Sequence, residues 1–172
     1  MKVEFTNLYK LIYNKKEIFN KVQNLIKNSQ ISLGDEVLKF ENSFKKFVGA
    51  KYCVGVGNGT DALEIAIKSL SLKKNSEIIV PVNTWIATAE AVINNGYKIK
   101  FCDINLRDYS MCMDDLKCKI NDNTSAIIPV HLYGIATNVK EIKKIIKKRK
   151  RKIKIIEDCA QAHGTKLGNT HV

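Results

Sequence analysis

Short apolar runs alternating with helix-length stretches limit this chain more than any other feature. YCVGV (52–56), EIIVP (77–81), YKIKFCDI (97–104), SAIIPV (125–130) and IKIIED (153–158) read as strands. Helices are predicted after GNGT, over 85–95 and over 138–149, where apolar residues recur at helical spacing. Strands this short and apolar need cover on both faces, and alternating helices supply it. The expected fold is therefore α/β: three α/β/α layers around a mostly parallel sheet, with right-handed crossovers.

Before this alternation begins, Leu8, Leu11, Ile12, Ile18, Phe19, Val22, Leu25 and Ile26 make 7–28 largely helical. Asp35 is the expected cap of a second helix, with Val37, Phe40, Phe44, Phe47 and Val48 on its apolar face and Gly49 as its stop. The expected organisation is an N-terminal helical segment over 1–50 and a ligand-binding α/β part over 51–172.

Composition narrows the class. A chain of 172 residues suffices for one ordinary domain, and 45% hydrophobic residues favour a packed core. No apolar run reaches the roughly 18 residues of a membrane span. The first residues lack the apolar core and cleavage site of a signal peptide, so a cytoplasmic protein is expected. Five cysteines without a C-x-x-C pair give no support to a zinc or thioredoxin-like motif, and no metal site is expected. The formal charge is +12. Much of it lies in KEIKKIIKKRKRKIK (140–154), where Ile142, Ile145 and Ile146 recur at helical spacing. No aromatic residues interleave with these lysines, so a solvated helix face is favoured over a nucleic-acid surface.

In parallel sheets, ligands bind beyond the carboxyl ends of the strands. Polar motifs stand at those ends: GNGTDA, NTW, HLYG and EDCAQAHG. In VGVGNGTDAL (54–63), a glycine turn opening a helix makes an anion site, with Thr60 adding a hydroxyl. Gly57-x-Gly59-x-x-Ala62 also fits a dinucleotide fingerprint. The acid that pattern expects about 20 residues on is Glu77, which opens its strand instead of closing it. Trp85 could stack on a flat ring or fill core. Asp158 ends an apolar strand, where an unpaired carboxylate is expensive; a protonated heteroaromatic nitrogen would pair with it. Gln161 lies within reach of the same ring, whereas a turn cap is the plainer use of Asp158.

GNGTDALEIAIKSL, VPVNTWIATAEAVINNGYKIKFCDI, IIPVHLYGIATNVKEI and IIEDCAQAHG, in this order, closely resemble the DegT/DnrJ/StrS-type nucleotide-sugar aminotransferases. ISLGDEVLKFENSFKKFVGAKYC (31–53) resembles the N-terminal segment of that family too. The resemblance implies the large domain of a fold type I enzyme using pyridoxal 5'-phosphate (PLP). Gly59 and Thr60 would bind the cofactor phosphate, Trp85 would stack on the pyridine ring, and Gln161 would bond its phenolic oxygen. Asp158, the catalytic residue present in this chain, would pair with the ring nitrogen. His163 receives no chemical step.

The family's Schiff-base lysine lies downstream of QAHG, beyond Val172, and Lys166 does not match it. The chain is thus expected to be an N-terminal part of a longer enzyme, catalytically incomplete alone. Substrates implied are a nucleotide-linked keto sugar and an amino-acid donor, glutamate; the implied assembly is a homodimer. A PLP-dependent sugar dehydratase of the same family and an NAD(P)-binding oxidoreductase domain stand as alternatives.

Overall fold

The computed structural model describes residues 15–149 and 152–172. Part of the expected first helix, 7–14, and the basic residues 150 and 151 lie outside them. Helices α1 (Lys15–Lys27) and α2 (Asp35–Val48) come first. Then follow α3 (Gly59–Ser69), β1 (Glu77–Pro81), α4 (Ile86–Asn94), β2 (Lys98–Cys102), α5 (Met113–Lys119), β3 (Thr124–Ile127), α6 (Val139–Lys148) and β4 (Lys154–Ile155). A two-stranded antiparallel hairpin, β5 (Lys166–Leu167) with β6 (Thr170–His171), closes the chain.

The sheet has the order β2-β1-β3-β4 and is parallel throughout. Alternation along its strands divides the core in two. Ile78, Val80, Ala126 and Ile128 pack with Leu63 and Ile67 of α3 and with Ala91 and Val92 of α4. Ile79, Cys102 and Ile127 pack on the opposite face with Leu116 of α5 and Ile142, Ile145 and Ile146 of α6. Each such isoleucine contributes about 1.5–3 kcal/mol on burial. The chain steps from β1 to β2 on one side, then crosses back to β3 and β4 on the other. Steps in opposite directions carry their helices on opposite faces, as a single crossover hand demands. The reversal opens a crevice at the carboxyl ends of β1 and β3, the place where such sheets accept ligands.

Several expectations need correction. YCVGV (52–56) is not a strand: it forms no ladder with any described strand. Its Gly55 amide donates instead to the Glu41 carboxylate at 2.6 Å, and Tyr52 and Val54 are exposed. A β-prone sequence becomes a strand only where a neighbour presents backbone groups. Asp35 does not cap α2. Gly34 occupies that position without a side-chain bond, and Asp35 and Glu36 lie in the first turn, where negative charge offsets the helix dipole. Gly49 does end α2, in the left-handed region at φ 72°.

The strands are shorter than the apolar runs. Pro129 has no amide to give, so β3 stops and the ladder resumes at one bridge, Val130 to Asp158. Helix α5 was not evident beforehand, because MDDLKCK buries only Leu116. Helix α6 buries Val139, Ile142, Ile145 and Ile146 and exposes its lysines, the arrangement of an amphipathic cover.

Candidate functional site

A cavity of about 260 Å³ lies at the carboxyl ends of β1, β3 and β4, beside the N-terminus of α3. Gly59, Thr60, Trp85, Asp158 and Gln161 all line it, with Thr84, Thr88 and Leu132 among their neighbours. Residues spread over a hundred positions of sequence therefore meet at one point. The volume lies just under the ~300–1,000 Å³ usual for small-molecule pockets.

At one end, Asn58 caps α3: its side chain accepts from the Asp61 amide at 2.9 Å, and its carbonyl accepts from Ala62. The preceding amides of Gly59 and Thr60 have no partner among the described residues, as expected of the first turn of a helix. A side chain at Gly59 would meet no protein atom, and its φ is not left-handed. Neither packing nor backbone demands glycine there, so the space it leaves belongs to the cavity. Two open amides, the Thr60 hydroxyl and a helix dipole make an anion cradle.

At the other end stands Asp158, only 9% exposed. Its backbone is pinned on both sides: its amide donates to Pro129 O, and its carbonyl accepts from His131 N, each at 3.0 Å. The carboxylate accepts from the Thr88 hydroxyl on Oδ2 at 3.0 Å and from the Ala160 amide on Oδ1 at 3.2 Å. No Lys, Arg or His among the described residues forms an ion pair with it. A nearly buried acid held by neutral donors and facing a cavity is a receptor for a cationic group. Glu157, its neighbour, turns the other way and meets the buried His131 at 3.2 Å. His131 Nδ1 accepts from the Thr137 amide, so its proton sits on Nε2 and is donated to Glu157.

Gln161 is oriented by the turn opposite. Its Oε1 accepts from the Tyr133 amide at 2.9 Å, which leaves its NH₂ to donate. Tyr133 and Gly134 both hold positive φ (57° and 80°), the turn that brings this amide round. Trp85 is 75% exposed at the start of α4, open to a stacking partner and not used as core.

Other residues of the motif stand apart. His163 is exposed and packs edge-on against Phe44. Lys166 is exposed in β5, and among the described residues no lysine lines the cavity. Burial pushes the Cys159 thiol up to about 11, with the charges of Glu157 and Asp158 adding to the shift; it is a poor nucleophile. Glu77 lies at the amino end of β1, paired with Lys100 at 3.6 Å and far from where a ribose-binding acid would stand. Thr84 and Thr88 were missed from the sequence. Their four-residue spacing across Trp85, the N-cap of α4, was the available signal: Thr84 lies just ahead of the helix and its hydroxyl meets that of Thr88 in the first turn at 3.0 Å. No helix among the described residues is long and apolar enough to cross a membrane, and no cluster of three or more of their His, Cys, Asp and Glu side chains is placed to hold a metal ion.

An α/β sheet with an anion cradle and a nearly buried acid lining one cavity at its switch point defines a class of ligand-binding protein. Within that class, the chain belongs to the DegT/DnrJ/EryC1/StrS aminotransferase family, whose profile matches residues 13–172. It is 40% identical over 149 residues to the dTDP-3-amino-3,6-dideoxy-alpha-D-galactopyranose transaminase of Aneurinibacillus thermoaerophilus, covering 87% of this chain and 40% of the relative. It is 41% identical over 143 residues to the UDP-2-acetamido-2-deoxy-3-oxo-D-glucuronate aminotransferase of Pseudomonas aeruginosa, covering 83% and 39%. Among solved structures it is similar to E. coli GDP-4-keto-6-deoxy-D-mannose-3-dehydratase with bound hydrated PLP. There the TM-score is 0.83 at 32% identity, covering 90% of this chain and 41% of that one. NtdA from Bacillus subtilis with bound cofactor PMP gives a TM-score of 0.87 at 30% identity, covering 95% and 38%. The chain spans about 40% of the length of the curated relatives it matches.

Proposed function

We propose that these residues form the cofactor-binding part of a PLP-dependent enzyme that moves an amino group, from glutamate, onto the keto group of a nucleotide-linked sugar. In this reading 51–172 carry the cofactor and 1–50 form a helical segment leading into them. The observation that carries it is Asp158: a nearly buried acid that forms no ion pair with any described Lys, Arg or His and lines the same small cavity as an anion cradle. PLP presents a phosphate to one end and a protonatable ring nitrogen to the other. When bound, it supplies an electron sink for charge developing on the substrate.

The residues divide the work of holding it. The Gly59 and Thr60 amides and the Thr60 hydroxyl take the phosphate. Trp85 covers one face of the ring and keeps water from it. Gln161, its carbonyl already committed to Tyr133, donates its NH₂ to the phenolic oxygen. Asp158 keeps a proton at the ring nitrogen. Among the described residues no lysine lines the cavity, so we propose that they hold PLP without a covalent link and do not transaminate by themselves. Borohydride trapping of PLP on one defined lysine of this chain would contradict that.

The relatives described as transaminases supply the substrate class, and the complete enzyme is proposed to act as a homodimer. A sugar dehydratase is the second reading, supported by the likeness to the E. coli dehydratase. The test is to incubate the complete natural polypeptide with PLP, glutamate and a panel of nucleotide-linked 3- and 4-keto sugars. Formation of 2-oxoglutarate with an amino sugar is expected. Loss of a sugar hydroxyl as water without an amino product would select the dehydratase. Failure to bind PLP would end both.

A further inference from the structure

The hydroxyl chain behind Asp158 has a direction. Thr88 is completely buried, and its oxygen lies 3.0 Å from both Asp158 Oδ2 and Thr84 Oγ1. An ionised carboxylate only accepts, so the single Thr88 proton goes to Asp158. The contact with Thr84 must then run the other way, with Thr84 donating to Thr88. The order is Thr84 to Thr88 to Asp158, each donor strengthening the next. The Ala160 amide serves the second oxygen. Both Asp158 oxygens thus receive a neutral donor, while lone pairs remain for the cavity. Hydrogen bonds donated to a carboxylate favour its ionised form.

We infer that Thr88, backed by Thr84, is a positioning residue that holds the Asp158 carboxylate oriented toward the cavity, so that the proton shared with a cationic ring nitrogen stays on the nitrogen. This rests on the PLP reading above. Without the Thr88 donor the carboxylate becomes the better base, and the shared proton moves toward oxygen. Thr88 acts only through Asp158 and need touch neither cofactor nor substrate.

The experiment is ¹⁵N NMR of ring-labelled PLP bound to the complete natural polypeptide. Wild type is expected to show a protonated ring nitrogen. Thr88→Val, which keeps the shape and removes the hydroxyl, should move the resonance toward the neutral position. It should also weaken PLP binding roughly tenfold, the loss of one hydrogen bond to a charged group. Thr88→Ser should restore both, and Thr84→Val should give a smaller shift in the same direction. A Thr88→Val resonance identical to wild type overturns the inference, because a residue needed only for packing leaves the nitrogen unmoved. If Thr88→Val does not fold, Thr84→Val decides: an unshifted resonance overturns the directed chain. Asp158→Asn separates the two levels. If it leaves the resonance unchanged, or if wild type takes up no PLP, the cofactor reading has failed; if it shifts the resonance while the threonine variants do not, only this inference has.

Discussion

The α/β part and the N-terminal helices are built from the same kind of amphipathic sequence, yet they reach opposite ends. In the sheet, Ile67 and Ile142 are wholly buried and the helices that carry them seal its two faces. In α1 and α2 no residue is buried; Phe19 is 68% exposed and Phe40 58%. Apolar spacing makes a helix with a sticky face in both places. Only a broad partner surface turns that face into core: the sheet gives one to α3, α4 and α6, whereas α2 meets the C-terminal residues only through the Phe44 and Phe47 rings against His163 and His171. The buried region is also where an acid is held by four hydrogen bonds: Asp158 meets Pro129, His131, Thr88 and Ala160.

The comparison breaks first at Asp158. If the sheet's rigidity serves this acid, Asp158→Ala should lower PLP affinity by about 3–5 kcal/mol, the cost of stripping one partner from a buried charge pair. Isothermal titration of the complete polypeptide checks this, and an unchanged affinity would separate the core from the chemistry. Next comes the core itself. Ile67→Ala should destabilise by about 2–5 kcal/mol in urea unfolding. Phe19→Ala, at an exposed position, should stay within about 0.5 kcal/mol. Equal effects would mean that α1 is covered by something and would erase the contrast.

A smaller effect belongs to the junction between the two parts. Asn58→Ala removes the cap of α3 and should cost about 1 kcal/mol. It should also loosen the phosphate end of the cavity, visible as weaker competition by inorganic phosphate for PLP. The smallest effect is chemical. Burial first, then the Asp115 charge, pushes the Cys102 thiol from its ordinary 9.0 up to about 12. Its folded form keeps the proton longer than the unfolded chain, so its contribution to stability is complete below pH 9 and fades between 9 and about 12. At pH 8 a thiol reagent should label exposed Cys118 quickly and Cys102 only on unfolding. Rapid labelling of Cys102 in the folded protein would show that the core opens.

Most of the α/β order was legible in the chain, since EIIVP, the helix at 85–95 and the basic helix rest on local periodicity that burial then used. The five cofactor candidates were legible because each follows a strand or opens a helix. YCVGV misled because strand formation is a two-body event and its propensity is not. Asp35 misled because a capping residue type placed one position late joins the first turn instead. Thr88 was hidden because its partner lies seventy residues away.

By itself, the order of residues determined where strands and helices alternate, which family the motifs resemble and which side chains stand at strand ends. Those are properties of short windows, governed by side-chain spacing and backbone preference. Only the folded chain decided that β1 sits between β2 and β3, that Glu157 turns to His131 while Asp158 turns to the cavity, and that two threonines feed that acid. Each of these depends on contacts between segments remote in sequence, and the crossing of a parallel sheet is what brings such segments to one place.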